Sequence, residues 1–78
     1  MVIGCFMMNL ITKREKEIFN LLACNYSTLE ISKILNISCK TVRNHISNVI
    51  QKLGVSNRTQ AILELIKYKE LNFRWFDD

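Results

Sequence analysis

Lys40, Arg43, Ser47 and Gln51 follow one another at intervals of three or four residues, and Asn44 adjoins Arg43. At about 100° of turn per helical residue, such spacing gathers them on one arc of a helix. Their chemistry is related. Arginine can donate two bonds to a guanine edge, and asparagine can pair with an adenine edge. Lysine, serine and glutamine can bond bases or phosphates. No acid interrupts the pattern. Between Glu30 and Glu64 the chain carries Lys33, Lys40, Arg43, Lys52 and Arg58, while all seven acidic residues lie outside that span. A helix face serving solubility alone usually mixes in Glu or Asp, and beside a polyanion each such acid would meet like charge. The arrangement points to an anionic partner with readable edges, which is a nucleic acid.

Composition narrows what can position these side chains. A chain of 78 residues with 49% apolar and 23% charged residues fits one folded domain. Two glycines and no proline leave little to interrupt helices. Cys5, Cys24 and Cys39, even with His45, are too scattered for a disulfide framework or a four-ligand zinc set. Reduced thiols are expected, with Cys24 in the core. The opening "MVIGCFMM" lacks a basic start and is far shorter than the ~20 residues of a membrane span. A cytoplasmic protein with no cofactor and no membrane association is expected, and nothing resembles a nucleophile–base pair or a phosphate loop.

Four helices can be read from their caps. Thr12 with Glu15, and Ser27 with Glu30, have the spacing of reciprocal capping boxes. They predict helices over 13–23, with Ile18, Leu21 and Leu22 inward, and over 28–35, with Ile31, Ile34 and Leu35 inward. "CNYS" is the turn between them. Asn36 suits a left-handed helix end, and Ile37 should plug the short turn that follows. Ser38 caps a third helix over 39–53 that Gly54 terminates, with Val42, Ile46, Val49, Ile50 and Leu53 as its buried stripe. Ser56 or Asn57 caps a fourth helix over 58–69, with Ala61, Ile62, Leu65 and Ile66 inward. The class is all-α. His45 lies at the edge of the third helix's apolar stripe and reads as a packing residue. Glu15 and Glu17 point in different directions, and Arg14 is expected to bridge to a carboxylate such as Glu30.

Two helices joined by a three-residue turn, the second with a polar, cationic outer face, form a helix-turn-helix unit. The residues also resemble a known family, the LuxR-type helix-turn-helix domain. The resemblance rests on Thr12-x-Arg14-Glu15-x-Glu17, Glu30-Ile31 and Leu35-x-Ile37-Ser38. It continues through Thr41-Val42-x-x-His45, Lys52-Leu53-Gly54-Val55, Arg58 and Ala61. These blocks stand in order over residues 10–71. "KTVRNHISN" and "QKLGV" add a closer likeness to a stand-alone member linked to spore formation.

This resemblance implies a four-helix DNA-binding transcription regulator that dimerises through its fourth helix on two half-sites. Arg43, Asn44 and Ser47, with Lys40 nearby, would read bases. Ser47 is shorter than the residue many relatives carry there. Thr28, Thr41, Lys52 and Arg58 would contact the DNA backbone, and Leu63, Ile66 and Lys67 are the candidate dimer contacts. The implied partners are double-stranded DNA, a second copy of the chain and RNA polymerase. Nine residues precede the domain, too few for the receiver or ligand-binding domain of many relatives, so control by phosphorylation or an autoinducer is not expected. Two other readings stay open: a promoter-reading fragment of a sigma factor, and a protein-interaction module that antagonises related regulators. The apolar extension over 1–9 and the aromatic tail over 72–78 either cover each other or form a contact surface.

Overall fold

The computed structural model describes residues 11–67, which form four helices: α1 (Lys13–Ala23), α2 (Thr28–Leu35), α3 (Cys39–Leu53) and α4 (Arg58–Lys67). The bounds of the first three match the sequence expectation. The last two expected residues of α4, both termini and the alternation at Leu71, Phe73 and Trp75 lie outside the described residues.

Each helix begins where a side chain can replace a missing backbone partner. At α1, the Glu15 amide donates to Thr12 Oγ1 at 3.1 Å, and the Thr12 amide donates to Glu15 Oε1 at 2.8 Å. Ser27 and Glu30 repeat this box at α2 with the same two distances. Ser38 Oγ accepts from the Thr41 amide at 3.0 Å to open α3. For α4 the structure chooses Asn57 as the cap: its Oδ1 accepts from the Gln60 amide at 2.9 Å. Gln60 Oε1 in turn accepts from the Ser56 amide at 3.0 Å. The ends are equally defined. Asn36 closes α2 at φ +58°, and Gly54 closes α3 at φ +68°, both in the left-handed region. The Ile37 amide bonds back to the Ser32 carbonyl at 2.9 Å, which holds the α2–α3 turn tight, while the Ile37 side chain packs on the core.

α3 is the central element and packs against the other three helices. Val42, Ile46 and Val49 are buried, with Ile50 and Leu53 packed at the edge, as its apolar periodicity predicts. Around them close Ile18, Phe19 and Leu22 from α1, Ile31 from α2, and Ala61 and Leu65 from α4. Phe19, fully buried, is a core residue that the spacing of Ile18, Leu21 and Leu22 did not single out.

Two sequence expectations fail here. Ile34 is 52% exposed rather than part of the buried stripe. The eight-residue α2 buries the arc of Ile31, Leu35 and Ser32, and Ile34 lies about 100° round from its middle. Ser32 is tolerated inside because its hydroxyl donates to the Leu29 carbonyl at 2.6 Å. Cys24 is exposed, not in the core. It is the C-cap of α1, and Asn25 beyond it turns the chain away at φ +72°.

Candidate nucleic-acid interface

The packing of α3 leaves its opposite side open. Lys40, Arg43, Asn44, Ser47 and Gln51 are all exposed, while Val42 and Val49, on the far side of the same helix, have no exposed surface. The four candidate base-reading residues, Lys40, Arg43, Asn44 and Ser47, therefore share one arc of about 100°. Asn48 is exposed on the same helix, next to Asn44 on the side toward Thr41 and Lys52. Sequence reasoning assigned it to neither face, although its position at about 80° from Lys40 marks it as outward. No acidic residue occupies the first turn of α3.

The candidate backbone contacts are spread over three helices. Thr28 is half-buried in the first turn of α2, Thr41 half-buried in that of α3, and Arg58 exposed at the start of α4. Thr41 Oγ1 lies 2.9 Å from Ser38 Oγ, so its hydroxyl is already oriented by the cap. On α4, Leu63 is 60% exposed, Lys67 is exposed and Ile66 half-buried, and the three share an arc of about 100°. His45 is half-buried at the edge of the α3 stripe.

Lys52 has a partner that sequence reasoning did not assign. Its Nζ donates to Glu15 Oε1 at 2.8 Å and to Oε2 at 2.9 Å, tying the last turn of α3 to the first turn of α1. The Glu15 side chain is 3% exposed and that of Lys52 28%. Burial alone would push the Glu15 carboxyl up. The hydrogen bond from Lys52, the Thr12 backbone amide, the Lys52 charge and the Thr12 side chain outweigh burial, and the carboxyl is held below its ordinary value. One residue thus serves as helix cap and as the buried half of an ion pair. The capping role was legible in sequence. The pairing was not, because 37 residues separate the partners.

Other carboxylates are also occupied locally. Glu17 pairs with Arg14 at 3.2 Å, one helical turn apart on α1. The expected bridge from Arg14 to a carboxylate thus forms with Glu17 and not with Glu30, which instead accepts from the Ser27 amide in its own capping box. Among the described residues no group of three or more His, Cys, Asp or Glu side chains could hold a metal ion. In the same span no helix is long and apolar enough to cross a membrane.

Comparison with known proteins matches this architecture. Residues 9–65 match the family model described as bacterial regulatory proteins, luxR family. The chain is 58% identical over 62 residues to the spore germination protein GerE of Bacillus subtilis, covering 80% of this chain and 84% of that protein. It is 47% identical over 60 residues to the transcriptional regulatory protein DegU of Brevibacillus brevis, covering 77% of this chain but 25% of DegU. A solved structure of the transcription factor GerE superposes with a TM-score of 0.79 at 67% identity, covering 81% of this chain and 94% of that one.

Proposed function

The chain belongs to the luxR family of bacterial regulatory proteins, and we propose that it is a homodimeric regulator that reads duplex DNA with α3 in the major groove. That it is a DNA-binding transcription regulator follows from the family. The observation that supports the finer reading is the two-sided α3. Its apolar side is buried against three helices, and its exposed side carries Lys40, Arg43, Asn44, Ser47 and Gln51 without an acid. A rigid helix with bidentate donors on its outer arc is what major-groove readout needs.

In this reading Arg43 and Asn44 contribute most to base discrimination, with Lys40 and Ser47 at the flanks. Thr28, Thr41 and Arg58 contact the phosphate backbone, and Lys52 joins them only by exchanging its internal partner. Dimerisation through Leu63, Ile66 and Lys67 supplies the second half-site, because a domain this small makes few phosphate contacts alone. No catalytic step is part of the function. Regulation linked to spore formation or germination is the setting suggested by the likeness to GerE.

Selection of bound duplexes from a random pool tests the reading and supplies the half-site and spacing. On the selected site, Arg43→Ala should weaken binding by roughly 1–3 kcal/mol, with a smaller loss on random DNA. Equal losses on both would reduce Arg43 to a phosphate contact.

A further inference from the structure

The ammonium of Lys52 is held on both oxygens of Glu15, so in the unbound protein its charge is largely cancelled. Attraction toward a distant polyanion is then left to the exposed cations of the acid-free segment, Lys33, Lys40, Arg43 and Arg58. Yet Lys52 is not sealed in. Its side chain remains 28% exposed. It also lies on the flank of α3 shared by Thr41 and Asn48, beside the exposed arc. A four-carbon stem lets the ammonium swing outward while the backbone of α3 stays in place. Glu15 does not depend on Lys52 for everything, because the Thr12 amide bonds Oε1 independently at 2.8 Å.

We propose that Glu15 is a positioning residue that competes with DNA phosphate for the Lys52 ammonium. The inference rests on the DNA-binding reading above and deepens it. On binding, one oxyanion partner of Lys52, the internal carboxylate, is exchanged for another, a phosphate oxygen. No covalent bond changes. Breaking the internal pair subtracts from the affinity that the phosphate contact adds, so the carboxylate sets how much Lys52 contributes. Neutralising Glu15 while keeping its shape therefore strengthens DNA binding, a direction that loss of a purely structural contact would not produce.

The test measures anisotropy of a labelled duplex of random sequence at one low salt concentration. It compares the wild type, Glu15→Gln, Lys52→Gln and the double variant, each confirmed as folded by circular dichroism at the assay temperature. Glu15→Gln should bind roughly three- to fivefold more tightly, the scale a partly exposed ion pair supports. Lys52→Gln should bind more weakly, and adding Glu15→Gln to it should restore nothing. A folded Glu15→Gln that binds no more tightly overturns the proposal. So does a gain that persists without Lys52, since that would reflect net charge alone. If Glu15→Gln does not fold, Glu15→Asp, with its carboxylate drawn back by one methylene, should give a smaller gain in the same direction; unchanged or weaker binding overturns it. Absence of duplex binding by the wild type would instead defeat the DNA-binding reading itself.

Discussion

Glu15 stays ionised at 2% exposure because Lys52 and the Thr12 amide replace the water it has lost. That substitution has a pH signature. Its folded carboxyl titrates below its unfolded value, so the pair's stabilisation is fully present above the ordinary carboxylate range and is lost as pH falls through the folded value. Urea midpoints measured from neutral pH to about pH 3 should fall on the acid side for the wild type, and more gently for Glu15→Gln. Parallel curves would show that the pair contributes nothing to acid sensitivity. At neutral pH, Lys52→Met should lower stability by about 1 kcal/mol. This is less than the loss of a partner in a fully buried pair, because the Lys52 side chain is 28% exposed. Arg43 belongs to the opposite case: fully outward, it should leave stability nearly unchanged while altering DNA recognition.

Among the helices, α3 is held at both ends by different physics. Ser38 supplies a hydroxyl to the first turn, and Gly54 supplies a left-handed residue after the last. Ser38→Ala should lower stability by about 1 kcal/mol. A Cβ at Gly54 would meet no atom within 4 Å, so the penalty there is backbone strain alone. Gly54→Ala should therefore lower stability by roughly 1–2 kcal/mol, and Gly54→Asn by less, as Asn36 occupies the same region at the end of α2. Equal losses for Ala and Asn, read from thermal or urea unfolding, would point to a steric cause instead. The caps were legible because they are local: each donor and acceptor lies within four residues of its partner. Helix faces were legible where the apolar stripe was long, as in α3. They were misread in the eight-residue α2, where a serine sits inward and Ile34 outward.

For the whole molecule, the exposed Leu63 on α4 bears on assembly. Leu63→Glu should leave unfolding stability within about 0.5 kcal/mol of wild type, since the side chain is 60% exposed in the single chain. It should shift sedimentation toward monomer and weaken binding to a two-half-site duplex more than to a single half-site. Unchanged sedimentation and unchanged affinity on both duplexes would remove α4 from the dimer contact. The reading of α3 as a groove-facing helix depends on the same whole-molecule view, because a helix presents its outer arc only if three neighbours bury the other.

The sequence by itself determined the four-helix order, the caps that set the helix bounds and the acid-free outer arc of α3. All of these follow from interactions between residues a few positions apart or from a periodicity carried along one segment. Tertiary structure alone decided that Phe19 and Ser32 are inside while Cys24 and Ile34 are outside, and that Lys52 faces Glu15 rather than solvent alone. Those outcomes depend on which helix lies against which, and on distances closed between residues far apart in the chain. Local sequence constrains such meetings only through the fold it produces.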